Sequence, residues 1–174
     1  MRLSAATLPI AAVALLAGCA STTPAPLRAG ATLEARSGST VTGRVDLSES
    51  DGRLHAHVEL AGLAPNSEHG FHIHEKGDCS AADATSAGGH YNPGGTAHGR
   101  AGTSPHHAGD LPSLSADAHG NVRVDLVLEG VTLAPGPDSI VGRSLVVHRD
   151  RDDFTTQPSG NSGPRVACGV IAAR

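Results

Sequence analysis

Apolar and polar residues alternate between Arg53 and Leu60. Leu54, Ala56, Val58 and Leu60 share one face, and Arg53, His55, His57 and Glu59 the other. A sustained period of two predicts a half-buried strand. Residues 121–128 repeat the pattern, with Val122, Val124, Leu126 and Leu128 inward. Shorter strands are predicted over 31–36, 40–47, 70–74, 144–148 and 166–171. Turn signals such as Ser50-Asp51-Gly52 and Ala118-His119-Gly120-Asn121 separate them. No amphipathic helix of useful length interrupts the series. Short strands punctuated this way predict an all-β, antiparallel sandwich or barrel. Two stretches, 76–112 and 149–165, have no period. Loops of that length in a compact domain are usually functional or disordered, and the first carries most of the histidines, so it reads as functional.

The beginning of the chain follows another logic. After Met1-Arg2 comes an apolar run, 5–17, too short and too alanine-rich to span a bilayer. It ends in Leu16-Ala17-Gly18-Cys19, which resembles the lipobox of bacterial lipoproteins. That resemblance implies cleavage before Cys19 and acylation of its thiol, and hence attachment to a membrane. The alternative is an ordinary cleaved signal with an incidental Cys. The expected organisation is a signal peptide at 1–18, a lipid-anchored flexible tether at 19–30 (Ser21 to Arg28 being rich in Ser, Thr and Pro) and one domain at 31–174. Ala20 is compatible with sorting to the outer membrane, so the expected location is the periplasm and cell envelope. Acylation of Cys19 leaves Cys79 and Cys168. In an oxidising compartment a disulfide is the default for such a pair, rather than two separate buried thiols. It would close a loop of roughly 90 residues, worth at most about 4–5 kcal/mol on the chain-entropy model.

Composition narrows the picture further. With two Phe, one Tyr and no Trp, the core must be aliphatic. A net charge of −4 argues against nucleic acid as a partner, since phosphate binding needs a basic surface. Histidine is the outlier, with 11 residues.

On the strand predicted at 70–74, alternation puts His72 and His74 on one face and Phe71 and Ile73 on the other. By itself His-x-His is a weak signal. The loop that follows adds His90, His98, His107 and Asp110. Three imidazoles and one carboxylate form a closed tetrahedral set suited to zinc. His148 then ends the Leu145-Val146-Val147 strand, giving a group of three imidazoles beside a complete group of four. If His90 used both ring nitrogens, each of two ions would have four protein ligands, and an all-imidazole set suits copper in both oxidation states. Spacing alone does not establish that sharing.

Gly70-Phe71-His72-Ile73-His74-Glu75, Gly88-Gly89-His90-Tyr91-Asn92-Pro93, His107-Ala108-Gly109-Asp110-Leu111, Val141-Gly142-Arg143-Ser144-Leu145-Val146-Val147-His148 and Arg165-Val166-Ala167-Cys168-Gly169-Val170-Ile171 resemble, in order, the signature blocks of copper,zinc superoxide dismutases. The resemblance runs from about Ala31 to Ile171. It implies an all-β Greek-key antiparallel β-barrel or sandwich, immunoglobulin-like, with two long functional loops. It implies copper on His72, His74, His90 and His148, zinc on His90, His98, His107 and Asp110, and a disulfide between Cys79 and Cys168. Arg165 matches the family's active-site arginine, a fixed cation for a small anion. Asp152 matches the aspartate that joins a copper-ligand and a zinc-ligand imidazole, and its spacing of four from His148 selects it over Asp153. His107 is selected over His106 by the His-x-x-Asp spacing to Asp110. His55, His57, His69, His106 and His119 read as non-ligands.

The implied activity is dismutation of superoxide to dioxygen and hydrogen peroxide at a His90-bridged copper–zinc pair, protecting the cell envelope. Arg149 and Arg151 are candidate guides for the anion, offset by Asp150, Asp152 and Asp153. The expected partners are superoxide and, through the anchor, a membrane. A homodimer stays open. Three rivals remain at this point. A metal store needs neither Arg165 nor Asp152, a copper-only relative needs no His98, His107 and Asp110, and an adhesion module leaves the ligand set unexplained.

Overall fold

The computed structural model describes residues 25–174, so the expected signal at 1–18 and the expected lipidation at Cys19 lie outside the described residues. The strands along the chain are β1 (Leu27–Ala35), β2 (Thr42–Ser50), β3 (Arg53–Ala61), β4 (Glu68–His69), β5 (Phe71–His74), β6 (Leu114–Ser115), β7 (Val122–Leu128), β8 (Ser144–His148), β9 (Arg165–Val170) and β10 (Ala172–Ala173). Among the described residues, one 3₁₀ turn, Thr85–Ala87, is the only helical element.

The main sheet runs β5-β8-β9-β1-β2-β3-β7, with β10 also paired to β1. The paired strands are antiparallel. The β3-to-β5 and β7-to-β8 connections cross between non-neighbouring strands, a Greek-key path. The sheet curls around an aliphatic interior that includes Leu33, Val45, Leu54, Val58, Phe71, Ile73, Leu145 and Ile171. This is the expected all-β architecture.

The β2–β3 hairpin shows local chemistry setting register. Ser50 pairs with Arg53, and Asp51 and Gly52 between them both have positive φ, at 52° and 72°. That is the geometry Asp-Gly favours in a two-residue hairpin. The alternation of β3 appears directly in its burial, with Leu54, Ala56, Val58 and Leu60 buried. β1 differs from expectation. It starts at Leu27 rather than at residue 31, because Ala29 and Gly30 pair with β2 on one side and with Ala173 and Ala172 on the other. Residues 27–30 of the expected tether are therefore part of the sheet.

β5 is buried on both faces. Phe71 and Ile73 enter the core, while His72 and His74 lie under two long connections, residues 75–113 and 149–164. This placement puts a polar, histidine-rich layer between the outside of the sheet and its loops.

Candidate metal centre

β5 pairs with β8 in the register His72–Val146 and His74–Ser144, and β8 continues to His148. The β8–β9 ladder shifts between Val147 and His148, and His148 then lies across from Arg165. Such a register shift re-aims a side chain at a strand end. The first loop is laced to the free edge of β5. The Ile73 carbonyl accepts from the Tyr91 N–H at 2.8 Å, the Gly109 carbonyl from the Ile73 N–H at 2.9 Å, and the Tyr91 carbonyl from the Gly109 N–H at 2.8 Å. His90 and Asp110 are thereby set opposite His74 and His72.

Two donor groups result. His72, His74, His90 and His148 form one, and His90, His98, His107 and Asp110 the other. Within each group the donor atoms lie within 4.8 Å of one another. The hydrogen bonds define which nitrogen of each ring is available. His74 Nδ1 meets the Gly88 carbonyl at 3.0 Å, His148 Nδ1 meets the Gly163 carbonyl at 3.1 Å, and His72 Nε2 meets Asp152 Oδ2 at 2.8 Å. Since carbonyls and carboxylates only accept, each of those nitrogens carries the proton, and the other nitrogen presents a lone pair. His72 Nδ1, His74 Nε2, His90 Nε2 and His148 Nε2 are buried atoms without any hydrogen-bond partner. Leaving four such atoms unpaired in one place would be costly. The cost vanishes if a cation takes all four lone pairs, and an all-nitrogen set of this kind fits copper.

In the second group the Nδ1 atoms of His90, His98 and His107 surround Asp110 Oδ1 at 2.8, 3.0 and 3.3 Å. Asp110 Oδ2 accepts from the main-chain N–H groups of His107 (2.8 Å) and Gly99 (3.0 Å). One carboxylate oxygen is thus fixed by amides and the other faces three imidazoles, a donor set and count that fit zinc. Nδ1 of His90 belongs to this group and its Nε2 to the other.

Electrostatics favour ligation over protonation. Burial, reinforced by the neighbouring His90 and His148, pushes His72 and His74 well below the usual imidazole range. Burial also pushes His148 down to about 4 and lowers His107. These rings are neutral at pH 7 and keep a lone pair. Burial alone would raise Asp110, but hydrogen bonds from His90 and from the Gly99 and His107 amides outweigh it and hold the carboxyl well below the usual carboxylate range.

Asp152, 1% exposed, touches both groups. Its Oδ2 meets His72 Nε2, and its Oδ1 meets His98 Nε2 at 3.0 Å. Asp153 instead caps its own turn through Thr155 and Thr156. Gly160 makes room for Asp152, with φ at 67°. A Cβ at this position would overlap Asp152 Oδ1 and lie 2.6 Å from His98 Nε2.

Arg165 is half-buried, with Nη1 and Nη2 each donating at 2.6 Å to the Ala84 and Gly88 carbonyls. It lines a solvent-open cleft of about 390 Å³ together with His74, His90, His107, His148 and Asn92. The loop that holds it is tied down by the Cys79–Cys168 disulfide, with Cα atoms 5.7 Å apart across a sequence separation of 89. Ala84, Ala87 and Val146 pack around Cys168.

The remaining candidates lie outside the two donor groups. Arg149 pairs with Asp150 and Arg151 with Glu68, and neither lines the cleft. Both are exposed and each is partnered by a carboxylate, which for Arg149 is the expected offset by Asp150. Conversely, His69 is 3% exposed, with Nδ1 against the His148 carbonyl at 2.9 Å and Nε2 against Ser67 Oγ at 2.6 Å. It binds no donor group but fixes the main chain of one. Spacing gave no hint of this, since its partner lies 79 residues away. The His106 ring meets the His107 carbonyl, and His57 pairs with Asp125 on the outer face.

Residues 41–171 match the family described as Copper/zinc superoxide dismutase. The chain is 42% identical over 135 residues to Superoxide dismutase [Cu-Zn] 2 of Aquifex aeolicus, covering 75% of this chain and 79% of that one. It is 40% identical over 134 residues to the superoxide dismutase-like protein YojM of Bacillus subtilis, covering 74% and 68%. Among solved structures, the clock protein EA4 aligns with a TM-score of 0.76 at 39% identity, over 86% of this chain and 96% of that one. A SOD-like protein from Bacillus subtilis aligns with 0.73 at 38% identity, over 80% and 95%.

Proposed function

The chain belongs to the copper/zinc superoxide dismutase family, and on that premise we propose that it converts two superoxide ions and two protons into dioxygen and hydrogen peroxide at a metal pair bridged by His90. The observation that carries the reading is the position of one imidazole, whose Nε2 joins His72, His74 and His148 while its Nδ1 joins His98, His107 and Asp110.

His72, His74, His90 and His148 would hold copper, and His90, His98, His107 and Asp110 would hold zinc. Bound there, copper supplies a one-electron couple that oxidises one superoxide and reduces another, while zinc contributes charge without redox chemistry.

The rest is done by this chain. Arg165 places a fixed guanidinium in the cleft wall, braced by two carbonyls, and attracts a small anion. It shares the cleft with His74, His90, His107 and His148. His90 is 9% exposed and lines the same cleft. Its Nε2 can take a proton when not bound to a cation and return it to a departing peroxide. The second proton is drawn from solvent, to which the cleft is open. Asp152 holds His72 and His98 in the tautomers that ligation needs. Export and anchoring through Cys19 would put this activity at the envelope, and the Leu16-Ala17-Gly18-Cys19 motif supports that placement.

The test is metal content and dismutase activity of the purified, metal-loaded protein beside its His90→Ala variant. The reading requires copper and zinc in the parent with turnover, and loss of both in the variant. Metal binding without turnover in the parent would instead indicate a store.

A further inference from the structure

The segment 152–160 between β8 and β9 is braced from within. Asp153 Oδ1 accepts from the Thr155 and Thr156 amides at 2.9 and 2.8 Å, and Oδ2 from the Thr156 hydroxyl at 2.6 Å. The Asp153 N–H donates to the Gly160 carbonyl at 2.9 Å, and the Gly160 N–H to the Thr156 carbonyl at 2.7 Å. This closed turn presents Gln157 to the first loop. Gln157 Oε1 accepts from the His98 N–H at 2.9 Å, and Gln157 Nε2 donates to the His98 carbonyl at 3.0 Å. A side chain thus makes the pair of hydrogen bonds that a neighbouring strand residue would make.

Among the described residues, Gln157 is the only hydrogen-bond partner of the His98 main chain. The His98 main chain belongs to no strand and lies in the part of the loop that β5 does not pair. The same turn also holds its ring, through Asp152 Oδ1 on Nε2 at 3.0 Å. Two residues further on, Arg100 lies over the Phe154 ring, 3.9 Å from its centroid. The remaining nitrogen, Nδ1, is the one facing Asp110.

We propose that Gln157 is a positioning residue for the zinc-side ligands: its side-chain amide fixes the peptide planes of His98 so that Nδ1 faces the ion, and thereby sets how long the ion stays. The inference rests on reading His90, His98, His107 and Asp110 as a zinc set. Asp152 fixes the ring's far nitrogen and Asp110 Oδ2 holds the Gly99 amide, but neither reaches the N–H or the carbonyl of His98 itself. Gln157 reaches both.

The test uses the full chain with cobalt(II) in the zinc set. Its readouts are the visible ligand-field bands and the rate of cobalt transfer to a competing chelator. Gln157→Met keeps the length and removes both hydrogen bonds. Gln157→Glu keeps an acceptor for the His98 N–H and removes the donor to its carbonyl. Loss of a group that orients a metal ligand costs about tenfold or more in retention. Gln157→Met should therefore release cobalt about tenfold faster, with shifted bands, and Gln157→Glu, which sets a carboxylate oxygen against the His98 carbonyl, should release it at least as fast. Variants that melt lower without metal, yet keep the parent's bands and release rate, would show a merely structural role and overturn the proposal. A parent protein that takes up no cobalt would contradict the zinc reading itself, and the proposal with it.

Discussion

Replacing Asp152 by Asn changes one oxygen to an amide nitrogen and leaves the shape intact, and the structure indicates which metal should suffer. Oδ1 accepts two hydrogen bonds, from His98 Nε2 at 3.0 Å and from the Phe154 amide at 2.7 Å. Oδ2 accepts one, from His72 Nε2 at 2.8 Å. The Asn oxygen will therefore stay on the His98 side, since the opposite flip would set an amide donor against two N–H groups. On the His72 side the new NH₂ then faces the N–H of His72. A buried donor facing a donor costs about 1–3 kcal/mol. His72 can relieve it only by moving its proton to Nδ1, the nitrogen it offers to the all-imidazole donor group proposed for copper. Copper affinity should fall about 10–100-fold, equivalent to about 1.4–2.7 kcal/mol, while zinc affinity falls less. Competition titrations with a copper-selective and a zinc-selective chelator, read against the parent, measure both. Unchanged copper affinity, or a loss confined to zinc, would show that Asp152 does not set the His72 tautomer.

Three further outcomes follow from the same geometry. Arg165→Gln removes the cation that lines the cleft, so kcat/KM should drop about tenfold at low salt and lose most of its ionic-strength dependence; an unchanged salt profile in steady-state assays would place the guidance elsewhere. Gly160→Ala forces a Cβ into Asp152 at a φ of 67°, which should destabilise the metal-free protein by about 1–3 kcal/mol in a denaturant melt and weaken metal retention as Asp152 is displaced. For pH, the metal-free protein holds His72, His74 and His107 below the usual imidazole range through burial and His148 at about 4. Unfolded imidazoles protonate near 6.5, so below that value the unfolded chain binds more protons. Stability should fall as pH is lowered from about 6.5 to about 4, with His148 alone accounting for about 3 kcal/mol. Denaturant melts across that window that show no loss would contradict the burial argument.

Much of this was legible in the sequence where a local period or a fixed spacing carries the signal. β3 announces itself by strict alternation, and Asp51-Gly52 by its turn chemistry. The start of β1 was not legible, because Ala29 and Gly30 carry no amphipathic pattern and are ordered by Ala172 and Ala173 at the other end of the chain. At the site, His72 and His74 could be placed on one face from the period of a strand. The nitrogen each ring offers could not, since it depends on carbonyls such as Gly88 and Gly163 and on Asp152, all reached through the fold. His69 and Gln157 were invisible for the same reason: each acts on the main chain of a distant histidine. Arg149 and Arg151 stood as candidate guides offset by the neighbouring Asp residues; the offset of Arg149 by Asp150 was legible, whereas the pairing of Arg151 with Glu68 on β4 depends on the fold.

The central claim is that His90 is shared. Anomalous diffraction from crystals of the oxidised, metal-loaded protein, collected on both sides of the copper and zinc absorption edges, tests it directly. Copper about 2.0–2.1 Å from His90 Nε2, with zinc at about the same distance from Nδ1, is the expected result. An ion on only one of these nitrogens, or two ions in sites that leave the His90 ring untouched, would contradict it.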